Sequence, residues 1–249
     1  MRVLALLHER AAGPGVFEDV VRARGAELDV WFVPGGGSPP RTARDYGAIV
    51  AFGGPMHPGQ EDVHPWLAGE KSLLAEWFAS DLPLLGVCLG AQLLAEVAGG
   101  QSRPARRPEV GWCEVSVTDE GATDPLLGPL APGFSALQWH SYEFGLPPAA
   151  APLARSSTCL QAYRLGEVAW GIQFHAEVTL ADFESWIDAR RSPKERARLG
   201  LEPEPLRERT RTSIGAWNQL GADLCGRFLD AAQWSRSYAR RFANGTTMA

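Results

Sequence analysis

As far as Gly100 the chain alternates short apolar runs with stretches of helical spacing, and glycine or proline stands at most of the switches. The apolar runs occupy residues 3–7, 28–33, 48–52 and 84–87. Such runs are too short for an ordinary helix and lack a sustained polar face, so they read as strands covered on both sides. Between them, residues 17–23 are spaced as a helix that stops at Gly25, and residues 89–98 read as another. Trp66, Leu67, Leu73, Leu74, Trp77 and Phe78 mark an amphipathic helix that ends before Pro83. Strands alternating with helices predict an α/β fold, a mostly parallel sheet with helices on both faces.

Beyond Gly100 the texture changes. Residues 112–118, 136–144, 160–165 and 168–174 read as strands joined by Pro- and Gly-rich turns, some of them antiparallel additions to the sheet. From Thr179 the pattern turns helical. Residues 192–205, charged and proline-containing, read as an exposed loop. Residues 206–239 read as one long or two shorter helices, and 244–249 as a frayed end. The expected organisation is one domain over residues 1–190 with a C-terminal helical extension, 191–249, packed on it.

Bulk properties narrow the partners. A net charge of -5 and a pI near 5.6 argue against nucleic acid or an anionic membrane. No apolar run approaches the ~20 residues that span a bilayer. The N-terminus enters a strand at once, with no secretion-signal pattern, so a cytoplasmic location is expected. Cys88, Cys113, Cys159 and Cys225 are scattered without a CxxC pair, which suggests reduced thiols and neither a zinc site nor a disulfide framework. Cys113 and Cys225 read as core.

Cys88 differs from the other three. It stands in Gly86-Val87-Cys88-Leu89-Gly90-Ala91-Gln92, where a buried strand meets a helix. Glycines on both sides permit a tight turn, and the helix start offers unpaired N–H groups and partial positive charge to a thiolate nucleophile. The bland alternative is a buried cysteine between packing glycines. His175 and Glu177 close a strand-like segment two residues apart, so they can share a face, with the carboxylate orienting the imidazole. Taken alone, a His-x-Glu at a strand end is more often a surface pair. Gly53-Gly54-Pro55-Met56 follows the third strand, and the N–H groups of Gly54 and Leu89 are candidate oxyanion donors. The bland reading there is a plain Gly-Pro turn.

Together, Gly53-Gly54-Pro55, the Gly-x-Cys-x-Gly-x-Gln run ending at Gln92, Trp139-His140-Ser141 and Phe174-His175-x-Glu177 resemble the class I (triad) glutamine amidotransferases in order and separation. The likeness is greatest to the glutaminase part of guanylate synthase and its single-domain relatives. It implies a flavodoxin-like sheet, Cys88 as nucleophile, His175 as base, Glu177 as orienter, and an oxyanion hole from Gly54 and Leu89. It also implies that Gly53, Gln92, His140, Ser141 and Tyr142 bind the glutamyl group, with no metal and no cofactor. The implied partners are glutamine or another γ-glutamyl small molecule and a synthetase that accepts ammonia. Two departures stand out. Ala176 occupies the position where the family usually has proline. The chain also has neither an SGGxDS-like pyrophosphatase loop nor a Walker-type run.

Three functions remain open on sequence: glutamine amide hydrolysis, cleavage of γ-glutamyl peptides or conjugates by the same triad, and a binding or regulatory role with the triad unused. Pocket width near Met56, Trp112 and Tyr142 is expected to separate the first two. A metal site from His57, Glu61, Asp62 and His64 is the weakest idea, and Asp62 reads better as a helix N-cap. Trp186, Trp217 and Trp234 in the helical tail cover either the sheet or a partner.

Overall fold

A computed structural model describes residues 1–10 and 12–243, with side chains described through Trp234, so the expected frayed end at 244–249 lies outside the described residues. The alternating half consists of β1 (Arg2–Leu7), α1 (Val16–Ala23), β2 (Glu27–Phe32), β3 (Ala48–Ala51), α2 (Trp66–Ala79), β4 (Leu84–Val87) and α3 (Leu89–Val97). The second half adds β5 (Ser102–Val117), the short α4 (Asp119–Ala122), β6 (Gly133–Phe144), β7 (Ala150–Arg155), β8 (Leu160–Leu165) and β9 (Ala169–Ile172). Three helices follow: α5 (Leu180–Ala189), α6 (Pro193–Leu199) and α7 (Pro203–Ala243).

Alternation along each strand divides the core. Val3, Ala5 and Leu7 of β1 join one apolar cluster, with α1, α5 and α7 on that face. Leu4 and Leu6 join the other, under α2 and α3. Successive side chains of a strand point to opposite faces, so a strand buried on both must be apolar throughout. The sheet has nine strands in the order β2-β1-β3-β4-β9-β8-β7-β5-β6. The five from β2 to β9 are parallel to their neighbours; β8, β7, β5 and β6 extend the sheet antiparallel. The placement of β9 beside β4 matters most, because it brings the end of a strand late in the sequence next to Cys88.

Several local readings need correction. Residues 193–199 form a helix, not a loop. Ser192 caps it through the Glu195 N–H, Pro193 fills the first turn where its missing N–H costs nothing, and Gly200 closes it with a left-handed φ of 62°. The charged run that resembled a solvated loop is the exposed face of this helix. Asp62 does not cap α2, whose N-cap position is Pro65. Strand β5 begins ten residues before the expected start at 112, and β7 was not foreseen. β7 holds Pro152 beside a register shift, the kind of irregularity that accommodates proline in a sheet. The tail forms one continuous helix, α7.

Candidate active site

The parallel strands end along one edge of the sheet, the edge where α/β folds place their ligands. The tightest crossing is the turn from β4 into α3. Cys88 stands there with φ 52° and ψ -106°, a left-handed conformation strained for a residue with a Cβ. Its N–H donates to the Ile172 carbonyl at 2.8 Å, tying the elbow to the end of β9. Gly90 lets the turn close against β3, since a Cβ there would lie 2.0 Å from the Ala51 carbonyl oxygen.

β9 ends at Ile172, and residues 173–177 follow a bent course rather than the extended one expected from sequence. His175 and Glu177 nevertheless meet: Nδ1 lies 2.7 Å from Glu177 Oε1, and both side chains are buried. An ionised carboxylate only accepts, so Nδ1 carries a proton and donates, leaving Nε2 as the ring nitrogen turned away from Glu177. Nε2 is buried without a hydrogen-bond partner. A Cβ added to Gly53 would lie 2.8 Å from His175 Cε1 and 3.4 Å from Cys88 Cβ, so imidazole and thiol-bearing carbon press on the same glycine. Burial opposes a charge on His175, but Glu177 and the Cys88 sulfur outweigh it and raise the imidazole pKa.

The bent segment is held through its carbonyls. Trp217 of α7 donates Nε1–H to the His175 oxygen at 2.8 Å, Asn218 donates to Val178 at 2.8 Å, and the Val16 N–H at the start of α1 donates to Glu177 at 2.9 Å. Trp186 of α5 stands edge-on to the His175 ring, 4.9 Å between centroids. Two of the three tail tryptophans therefore support the site, while Trp234 is 64% exposed.

The Gly53-Gly54-Pro55 loop packs Gly54 against Leu89: an added Cβ would lie 3.1 Å from Leu89 Cδ2. Behind the loop is a buried pair that the sequence reading missed. His8 Nε2 lies 2.8 Å and 2.9 Å from the two Glu70 oxygens, and Nδ1 lies 3.3 Å from the Gly53 carbonyl oxygen. Both ring nitrogens face acceptors, so only the doubly protonated ring donates to both. Burial works against that charge, but Glu70 prevails and raises the His8 pKa. Signals for both residues existed. His8 directly follows the first strand on the ligand-binding edge, and Glu70 interrupts the buried stripe Leu67, Leu74, Trp77 at a core-facing position.

Two cavities open from Cys88. The larger, about 270 Å³, is bordered by Met56, Gln92, Ser141, Tyr142, Arg190 and Arg198. The smaller, about 60 Å³, lies on the His175 side between Trp139, Trp186, Ala12 and Ala189. Gln92 Nε2 donates to the Tyr142 carbonyl at 3.0 Å and to Gln173 Oε1 at 3.2 Å. His140 joins the same carbonyl through Nδ1 at 2.9 Å and Glu109 Oε2 through Nε2 at 3.1 Å. Both residues thus fix the backbone of the 140–142 segment at the cavity wall, and the Tyr142 ring stacks on His57 at 4.0 Å. Trp112, expected at the pocket, instead donates to Thr210 Oγ1 at 3.0 Å, away from it.

Among the described residues, Glu109, His140 and Cys159 are the one group of potential ligands close enough to share a metal ion. The Gln161 amide nitrogen sits 2.8 Å from Glu109 Oε2 and 3.3 Å from Cys159 Sγ, and Gln138 holds that amide by donating to its oxygen at 2.7 Å. A donor therefore occupies the space a cation would need, and the group is a hydrogen-bond network. His57, Glu61, Asp62 and His64 do not converge: His57 is on Tyr142, His64 is beside Trp66, and Glu61 pairs with Lys71. Burial pushes the thiols of Cys113 and Cys225 up to about 11 and about 12, so they stay protonated at neutral pH.

Residues 18–189 match the family described as glutamine amidotransferase class-I. A glutamine amidotransferase-like protein of Salmonella typhimurium, YfeJ, is 28% identical over 191 residues, covering 75% of this chain and 80% of its own. A glutamine-hydrolysing GMP synthase subunit of Sulfurisphaera tokodaii is 30% identical over 159 residues, 61% of this chain and 80% of that one. The crystal structure of a glutamine amidotransferase from Thermotoga maritima superposes with a TM-score of 0.83 at 29% identity, covering 92% of this chain and 97% of that one.

Proposed function

Because the chain belongs to the class-I glutamine amidotransferase family, we propose that it hydrolyses the side-chain amide of glutamine or of a related γ-glutamyl compound through a thioester on Cys88. One observation carries the reading: the buried His175–Glu177 contact of 2.7 Å, with Nε2 unpaired and the ring against the same glycine as Cys88.

The Cys88 thiol gives its proton to His175 Nε2, the thiolate sulfur attacks the amide carbon as the carbonyl π bond opens, and the Gly54 and Leu89 N–H groups receive the oxyanion. The Gly53 carbonyl is turned toward His8. In a trans peptide the following N–H points the opposite way, so the His8–Glu70 pair turns the Gly54 donor away from itself. His175 Nε2–H gives its proton to the departing nitrogen as the C–N bond breaks. Water then attacks the thioester, its proton passes to Nε2, and glutamate leaves as the C–S bond breaks. Gln92, His140, Ser141 and Tyr142 shape the wall that receives the glutamyl amino and carboxylate groups, beside Arg198 and the Arg190–Glu195 ion pair.

A second reading sends the ammonia to a partner synthetase; the relatives named as GMP synthase subunits favour it. The test is a screen of γ-glutamyl compounds with glutamate release as readout and Cys88→Ala as control. The control is expected to be inactive but folded; normal hydrolysis by Cys88→Ala ends the proposal. A fully inert protein whose Cys88 is not alkylated by a glutamine-like chloroketone points instead to a binding role.

A further inference from the structure

We propose that the departing amine carries an apolar, preferably aromatic, substituent, so that the substrate is a γ-glutamyl amide larger than glutamine. This rests on the hydrolase reading above and extends it to the leaving group. The proton donor to the leaving nitrogen is His175 Nε2, which fixes the side of Cys88 on which the amine departs. That side holds the second cavity, of about 60 Å³, bounded by Gly53, Gly54 and His175 where it meets Cys88. A water-sized molecule, and ammonia is one, needs roughly 10–15 Å³ of such space. The cavity therefore exceeds what glutamine's own leaving group fills by about fourfold.

The walls choose the chemistry. Trp139 of β6 and Trp186 of α5 stand 5.6 Å apart at 56°, each only half-buried. Two indoles bordering open space contribute a large apolar area with little conformational entropy to lose, which suits a flat or branched hydrocarbon group. Ala12 and Ala189 complete the lining with methyl groups. On α5 the spacing of Ser185, Trp186 and Ala189, with Arg190 at the C-cap, turns one face of the helix toward the cavity. Glu9 and Arg190, of opposite charge, stand among the lining residues, so the border favours neither a cationic nor an anionic amine. The cavity that receives the glutamyl group differs: Gln92, Ser141, Glu195 and Arg198, which the smaller cavity lacks, make it more polar. For this substrate class the reaction balances as a γ-glutamyl amide plus water giving glutamate plus the free amine.

The experiment compares kcat/KM for glutamine, γ-glutamyl ethylamide and γ-glutamyl benzylamide, whose leaving groups are an ammonia and two amines of increasing apolar size. An apolar pocket discriminates by roughly 10–200-fold per methylene, so kcat/KM is expected to rise at least about tenfold from glutamine to the benzylamide. Ala189→Leu fills the cavity from the exposed side of α5 and should reverse that ratio by about tenfold; Ser185→Leu serves as a second filling variant. Glutamine turnover with rejection of both larger amides overturns this proposal and leaves the hydrolase reading standing, as does a ratio that neither filling variant moves. Absence of turnover of every γ-glutamyl compound, with Cys88 unlabelled by a γ-glutamyl chloroketone, overturns both.

Discussion

Exchanging His8 for glutamine or for asparagine separates its two contacts. A glutamine amide nitrogen reaches about where Nε2 lies, so His8→Gln keeps a donor for Glu70 and loses the one at 3.3 Å to the Gly53 oxygen. An asparagine amide nitrogen takes the place of Nδ1, so His8→Asn does the reverse. A hydrogen bond from a charged donor contributes about 1.5–3 kcal/mol, and the long 3.3 Å contact belongs at the lower end. Because about 1.4 kcal/mol is a factor of ten in rate, freeing the Gly53–Gly54 peptide should lower kcat about tenfold. Outright loss of an oxyanion donor costs more, roughly 10²–10³. KM should stay within about twofold, since the donor acts mainly on the transition state. His8→Asn leaves the Glu70 carboxylate buried and unpaired, a loss of about 3–5 kcal/mol in stability, yet its kcat should stay within about threefold of wild type where it is folded. Steady-state glutamate release and thermal unfolding then give opposite rankings. Wild-type kcat in His8→Gln, or a kcat that merely follows Tm in both variants, would refute the assignment of Nδ1 as the peptide's anchor.

Three further outcomes are expected. Glu177→Gln removes the carboxylate that fixes the His175 tautomer, and kcat should fall on the order of 10³-fold with KM little changed, measured by steady-state kinetics; a loss under about tenfold argues against the triad. Trp217→Phe keeps the ring but leaves the buried His175 carbonyl without its donor, about 1–3 kcal/mol of stability by denaturant titration; an unchanged midpoint discards that support. Stability should also depend on pH through His8 and His175, both raised above 6.5 in the folded state. The folded state then holds protons the unfolded chain has released, so their stabilisation is complete below pH 6.5 and is lost as pH rises through the folded values, which for His175 extend to about 10. Between pH 7 and 10, His8→Asn should lose less Tm than wild type, and parallel curves contradict the His8 contribution.

The fold was readable where burial imposed a strict pattern. β1, β3 and β4 are sealed on both faces, so every residue is constrained and each short apolar run marks its strand closely. Cys88 was readable because a strand-to-helix elbow with Gly90 two residues on leaves a local signature. What escaped depends on contacts distant in sequence. β7 is a strand because β5 and β8 bracket it, not because its alanines and Pro152 favour one. The His175–Glu177 contact was anticipated from strand periodicity and is real, but a bent segment produces it, and neither residue alone reveals which carbonyls are clamped. α6 escaped for a different reason. Its cap, proline and closing glycine all stand in the sequence, but its density of charge equally fits a solvated loop.

The segment that carries His175, the proposed base, is held from outside the stretch that matches the family. That match ends at residue 189, whereas Trp217 and Asn218 of α7 bind the carbonyls of His175 and Val178. Gly221, one turn further, packs so closely that a Cβ would lie 1.9 Å from the Ala176 oxygen. Position 176 is the alanine found where proline usually stands in the family, here between the proposed base and its proposed orienter. Proline would restrict the backbone on its own. With alanine, the same restriction has to come from neighbours, and three consecutive carbonyls gripped or crowded by α1 and α7 can supply it. It follows that restoring proline at 176 should make the chain less sensitive to Trp217→Phe: kcat in the double variant would lie closer to wild type than in Trp217→Phe alone. Additive losses in the two single changes would mean that α7 supports the fold generally and not the geometry of the base.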